Sequence, residues 1–555
     1  MRPVGGPSNE FRGPQPAVLS TLSIPDEGDP EPMAITSIVN LDALIHRADL
    51  AAPGEAAEDI TALSVMGLEK KGFLYPALRK PDFQRETANW SPEQVADLIG
   101  TFARRDLIPA VILWRAGQNV FVIDGAHRLS ALIAWVHDDY GDGEASRRFF
   151  QNVIPADQNA AADKTRKLVQ TSVGSYEDHR LAIDFPTRAR ADIAERAPRI
   201  GWQDIPAQWI RNADHDKAEK SFFRINQGGT KIDPTERKIL NARKSATALS
   251  TRAILRGGTG HGYWNKFEKP TQDRIEDLGR EVHETLFKPD LDLPIKTLDL
   301  PMAGQGYGSH VLPFIFDLVS ILNDAPLAQS QRKRGVKEEA PSEDGDGSET
   351  IKALSKAREM VWRICSVHPS SLGLHPALYF YSPGGVFQPA ALLSFAVLFK
   401  GWDTDEFKKF TSVRSKFEEF LLAHRGITEA VRKLGSGGRS RPRITAFYRT
   451  VLDHIRDGKT PSQAHALLLK NSEFAFMFAD MPDGKTSTGK FTRDVKGGAF
   501  LRDALPTAPK CPTCGGILHR NGMHTGHKEH RREGGVGSLS NAYMQHPFCN
   551  STFAQ

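Results

Sequence analysis

Cys511-Pro-Thr-Cys514 and His546-Pro-Phe-Cys549 each set two soft-donor side chains apart by two residues. A knuckle of that spacing lets both side chains reach one tetrahedral zinc at about 2.1 to 2.3 Å. Two knuckles give a closed Cys3His set with no position left for water, which means a structural site. A unit of about 50 residues has too little core to fold alone, so a metal staple makes physical sense there. The chain has four cysteines, three of them in these knuckles. That usage argues against a disulfide framework and for a reducing cytoplasm with a local metal site.

A second group is Asp124, Gly125, His127 and Arg128. The spacing predicts a turn between a strand and a helix here. Backbone amides at such a helix start bind anions, and Arg128 adds a positive fork. The elements around it are written locally. Ser91-Pro92-Glu93-Gln94 is a capping box with Pro at the first helical position, and Trp90 with Val95 forms a hydrophobic staple across it. Val95, Leu98, Ile99 and Phe102 recur at helical spacing. Ala110 to Trp114 and Asn119 to Ile123 read as the two strands of a hairpin, and a helix follows from about His127.

The whole chain of 555 residues is too long for one core. Residues 1–35 are rich in Pro and Gly and read as a flexible tail, and 324–350 as a disordered linker. Between them, 36–323 forms a first domain. A helical connector spans 351–504, with a buried helix at Ala390 to Phe399 and an amphipathic one at Asp405 to His424. The segment Gly373 to Tyr381 reads as core and Cys365 as a buried small hydrophobe. The zinc unit occupies 505–555. No apolar run is long enough to span a bilayer and the N-terminus has no apolar leader, so a cytoplasmic protein without a membrane partner is expected. Net charge is +5 and the pI about 8.8, which suits a nucleic-acid partner without demonstrating one. Locally, 505–555 carries Lys510, Arg520, Lys528, Arg531 and Arg532 against Glu529 and Glu533, which suits a phosphate backbone. Arg432, Lys433, Arg439, Arg441 and Arg443 form one further basic run, read as a surface loop.

Between the knuckles, His527 stands seven residues before Gly534, Asn541 six after Gly535, and Asn550 directly follows Cys549. This pattern resembles the HNH (ββα-metal) endonuclease family over residues 508 to 552. By position, the resemblance implies that His527 is the general base that activates water. It implies that Asn541 orients the His527 ring or supports the metal, and that Asn550 helps hold a catalytic cation, magnesium or manganese. Two positions depart from the pattern. Gly526 replaces the usual Asp, removing a common ligand of that cation and leaving His524, His530 or Glu529 as alternatives for its place, and His546 replaces a cysteine, which is harmless for zinc.

Asp124-Gly-Ala-His-Arg-Leu-Ser-Ala131 resembles the DGQQR/DGQHR motif of ParB-like proteins, in their GmrSD-type branch. Pro81-Asp-Phe-Gln84-Arg85, Leu107 to Leu113, and Phe223-Arg-Ile-Asn226-Gln-Gly228-Gly229 follow the family's further elements in order. The resemblance implies a pocket for nucleotide or DNA phosphate made by Gln84, Arg85, Asp124, Gly125, His127, Arg128, Asn226, Gly228 and Gly229, with an NTP as a further ligand. Together these readings give an α+β multidomain chain: a ParB-like α+β domain, a mostly helical middle and a small zinc-containing ββα-metal module with zinc on Cys511, Cys514, His546 and Cys549. The expected function is a metal-dependent DNA endonuclease in prokaryotic restriction or anti-phage defence, acting on phage or modified DNA. A non-cleaving DNA-binding regulator with a degenerate HNH module is the second reading. A nuclease centred on the ParB-like domain, with His127 as base, is the third. The oligomeric state is not specified by the sequence.

Overall fold

The structure is a computed structural model and describes residues 37–48, 61–81, 88, 90–152, 154–211, 215–228, 234–259, 263–307, 310–326, 342–430, 440–478 and 491–553. The tail expected at 1–35 and most of the linker expected at 324–350 lie outside these residues. The last part of that linker, from Ser348, already belongs to a helix.

A six-stranded mixed sheet organises the N-terminal part. Its strands are β1 (Arg47–Ala48), β2 (Ala62–Ser64), β3 (Leu78–Pro81), β4 (Val111–Ala116), β5 (Asn119–Asp124) and β6 (Asp204–Trp209), in the order β1-β3-β5-β4-β6-β2. β4 and β5 form the expected hairpin, and β3 runs parallel to β5. Successive side chains of a strand point to opposite faces, and here both faces are covered. Leu113, Val120 and Val122 join one apolar core. Trp114, Phe121 and Ile123 join another with Ala218 and Phe222, which come from a later helix. The first core is closed by helix α1 (Pro92–Arg104) and helix α2 (Ala126–His137). The capping box at Ser91 and Gln94 is present on both sides, which fixes where α1 starts. Trp90 packs against the core that contains Val95, its ring also stacks on His127 at 5.5 Å, and its backbone bridges Val39.

Further helices are α3 (His215–Gly228), α4 (Ala246–Leu255), α5 (Lys269–Phe287), α6 (Val311–Leu322), α7 (Ser348–Ile364), α8 (Pro389–Phe399), α9 (Thr404–Ala423) and α10 (Ser440–Arg456). From α4 onward they share one large core that draws on both sides of the 324–350 segment and reaches Ile517 and Phe548 near the C-terminus. The segment around Gly373 to Tyr381 lies inside this core, as its aromatic content predicts, and Cys365 is buried in it. Within the basic run, Arg441 is no surface residue. It opens α10 buried, with its guanidinium 2.6 Å from Asp317 of α6. Residues 431–439 lie outside the described residues.

The last element is small. Strand β7 (His524–His527) pairs antiparallel with β8 (Ala542–Gln545), and a short helix α11 (Pro547–Phe553) follows at once. The architecture is therefore mixed α+β, predominantly helical, with small sheets. Among the described residues no helix is long and apolar enough to cross a membrane.

Candidate functional site

The Cys511, Cys514, His546 and Cys549 side chains converge as the knuckle spacing predicts. Their ligand atoms all lie within 4.8 Å of one another, and all four residues are buried. Cys511 and Cys514 flank a tight loop closed by Gly515 N donating to Cys511 O at 2.8 Å. His546 directly follows β8 and Cys549 sits in the first turn of α11. His546 Nδ1 faces Cys514 Sγ at 3.3 Å, while its Nε2 meets the Ile517 carbonyl at 3.1 Å. A hydrogen bond on the far ring nitrogen leaves Nδ1 as the lone-pair nitrogen for a metal, and the Arg414 guanidinium also reaches that nitrogen at 3.3 Å. The Cys514 and Cys549 thiols hold Cys511 far below the ordinary thiol range, and Cys511 in turn pushes Cys514 up to about 11. Burial pushes His546 down, toward the neutral ring that ligates. This donor set fits a structural zinc.

The metal group is seated on the helical core. Arg414 of α9 is buried and donates to the Leu372 and Gly373 carbonyls, and its Nε lies 2.6 Å from Glu418. Glu418 then accepts from the Ile517 backbone amide at 2.6 Å and from the Tyr379 hydroxyl at 2.9 Å. Arg414 and Glu418 are four residues apart on one helix, but sequence reading missed the anchor because the other partners of Glu418 lie 39 and 99 residues away.

The three residues assigned to hydrolysis fall at three defined places. His527 is the last residue of β7, half-buried; among the described residues no hydrogen bond engages its ring. Asn541 immediately precedes β8, and its amide is committed to the intervening loop. Oδ1 accepts from Glu529 N at 2.7 Å, and Nδ2 donates to Glu529 O at 3.1 Å and Val536 O at 2.9 Å. Asn541 therefore shapes the loop and is not bonded to the His527 ring. The two glycines have a matching reason. Gly534 has φ +94°, and a Cβ at Gly535 would overlap the Glu529 carbonyl that Asn541 binds. Asn550 lies on α11, with Oδ1 accepting from Gln545 Nε2 at 2.7 Å. It faces Gly526, whose missing Cβ would stand 3.4 Å from that oxygen. Lys510, Arg520, Lys528, Arg531 and Arg532 are all exposed on this module.

The N-terminal group sits at the strand-to-helix turn that its spacing predicts. Asp124 ends β5 and Gly125, with φ +91°, turns the chain into α2. Gly125 is required: a Cβ there would come within 2.7 Å of Val111 Cγ1. Arg128 returns to Asp124 at 2.7 Å and to the Ala110 carbonyl at 3.2 Å, so its charge is balanced within the turn. His127 is buried under Trp90. β3 ends at Pro81 on the same edge, because β3 and β5 are parallel. Gln84, Arg85 and Gly229 lie outside the described residues, and Asn226 and Gly228 are placed only as the last turn of α3. A cavity of about 1000 Å³ opens elsewhere. It is lined by Phe150, Asp157, Glu236, Arg256 and His283 among others, and by none of Asp124, Gly125, His127 or Arg128.

Residues 64–243 match the family described as GmrSD restriction endonuclease, N-terminal domain. The match contains the Asp124 turn and ends well before the Cys3His group. Neither the curated proteins nor the solved structures contain a match to the chain.

Proposed function

We propose that the chain is a restriction-type DNA endonuclease whose hydrolytic centre is the C-terminal zinc module, an HNH module in this reading. One observation carries it: the Cys3His group staples the β7–β8 hairpin, in which His527 ends β7, to α11, whose Asn550 faces Gly526. The match of residues 64–243 to a restriction-endonuclease domain supports the same class of activity.

In this reading DNA lies on the exposed Lys528, Arg531 and Arg532 side. His527 takes a proton from water as its oxygen attacks phosphorus, the P–O bond to the departing oxygen breaks, and that oxygen leaves as an anion that takes a proton from solvent. A divalent cation, magnesium or manganese, would stabilise charge on the departing oxygen when bound. Asn550 offers that cation a half-buried amide oxygen, and position 526 contributes none. Asn541 keeps the loop after His527 in shape. The ParB-like domain would sense the target, which is phage or modified DNA in this proposal, and an NTP is its proposed ligand. Cytoplasmic defence is the setting.

Plasmid nicking by purified protein with magnesium or manganese tests the reading. General-base removal typically costs 10²–10⁴-fold, so His527→Ala should lose at least about a hundredfold while keeping its zinc. His127→Ala should instead affect nucleotide binding or activation. The second reading, a DNA-binding regulator that does not cut, is favoured by one observation: Gly526 supplies no carboxylate. Cleavage that survives His527→Ala would remove the HNH assignment, and no cleavage with any metal, NTP or phage DNA would favour the regulator.

A further inference from the structure

Gln545 is completely buried, an unusual place for a carboxamide so close to a proposed hydrolytic centre. It is the last residue of β8 and pairs with His524, so its side chain shares a face with that of position 526, whose partner is Tyr543 two residues away. Its amide is held at both ends. Oε1 accepts from the Thr513 hydroxyl at 3.0 Å, inside the first knuckle, and Nε2 donates to Asn550 Oδ1 at 2.7 Å. A Cβ placed on Gly526 would overlap that same Nε2 and stand 3.4 Å from Asn550 Oδ1. The room that a side chain at 526 needs is therefore filled by Gln545.

We propose that Gln545 is a positioning residue of the hydrolytic centre, its carboxamide filling the space over Gly526 and fixing the Asn550 amide oxygen. The inference rests on the endonuclease reading above. Two consequences follow from the chemistry. Donation from Nε2 uses one lone pair of Asn550 Oδ1 and leaves the second for a hard cation. The Gln545, Asn550 and Gly526 group carries no charge, whereas magnesium and manganese sites ordinarily draw on one or two carboxylates plus substrate phosphate. The DNA phosphate supplies the negative charge that this group lacks, so the cation and DNA bind cooperatively.

The test uses the full, zinc-loaded chain and four variants: Gly526→Ala, Gln545→Ala, the two combined, and Gly526→Asp with Gln545→Ala. Zinc content and melting temperature show that each is folded. Gly526→Ala displaces the amide from the opposite strand, so it serves as a second probe should Gln545→Ala fold poorly. Each single variant is expected to lower kcat about tenfold with KM for DNA unchanged, and the double to be no worse than either single, since both remove one interaction. Manganese binding followed by electron paramagnetic resonance should be weak in the wild type alone and stronger with DNA. It should tighten at least about tenfold in Gly526→Asp/Gln545→Ala, where the vacated space receives a carboxylate. Additive losses, a neutral Gly526→Ala, or manganese binding no tighter in that carboxylate variant would each overturn the proposal. If the wild type does not cut, the endonuclease reading falls separately, and the manganese comparison alone still decides the role of Gln545.

Discussion

At the scale of single residues, Asn541 shows how a motif residue can be required without touching the reaction. Its three hydrogen bonds tie Glu529 and Val536 together across the loop that follows His527. At about 1 kcal/mol net each, they add to the loop's own backbone hydrogen bonds. Asn541→Ala should release the Glu529 amide to hydrogen exchange and lower kcat, with the melting temperature of the rest of the chain unchanged. Asn541→Asp should be as harmful, because it keeps the acceptor for Glu529 N but turns the donor toward two carbonyls into a third acceptor. An Asp variant with wild-type turnover would show that the loop does not need these bonds. The sequence registered Asn541 and the two glycines through their spacing from His527. It left the reason unseen, since Gly535 matters for a carbonyl six residues earlier in the chain.

At the scale of elements, the legible parts were those written locally. The capping box at Ser91, the 111–124 hairpin, and the helices near Pro389–Phe399 and Thr404–Ala423 all depend on neighbours within a few positions. So does each zinc knuckle. Short edge strands such as β1 and β2 escaped reading because two or three residues carry no periodicity. Gln545, Thr513, Arg414 and Glu418 escaped because their role exists only after the knuckles meet. The junction at Gly125 is a test at this scale. Its φ of +91° and the Val111 side chain at 2.7 Å from a Cβ mean that Gly125→Ala pays for strain and a clash together. A loss of about 1–3 kcal/mol is expected, read as a lower melting temperature of the sheet domain, with zinc content unaffected. Metal removal tests the other end of the chain. Removing the metal that the Cys3His group would hold leaves three buried cysteines and His546 with nothing to gather them, while Ile517 and Phe548 belong to the large core. Chelation should therefore expose 505–553 to protease and also lower the melting temperature of the helical core. A core that melts unchanged after zinc loss would show the module to be an independent appendage.

At the scale of the whole molecule, one buried carboxylate joins the sheet to the helices. Asp42 receives Arg47 at 3.1 Å and Lys80 at 2.5 Å from β1 and β3, and Arg256, just past α4, at 2.6 Å. Burial works to raise its pKa, but Arg47, Lys80 and Arg256 together hold it well below the ordinary value. No sequence pattern announced this residue, because Arg256 lies 214 positions away. Removing one partner of a buried ion cluster strands the others, so Asp42→Ala should cost about 3–5 kcal/mol, far more than loss of a surface pair. Because the folded carboxyl titrates below its unfolded value, its contribution is complete above about pH 4. It is then lost progressively as pH falls toward the folded pKa. The gap in melting temperature between wild type and Asp42→Ala should accordingly be widest near neutrality and shrink in acid. A gap that stays constant down to pH 3 would mean that Asp42 acts by packing alone. The coupling of the sheet domain to the core that carries the zinc module would then have to run through apolar contact instead.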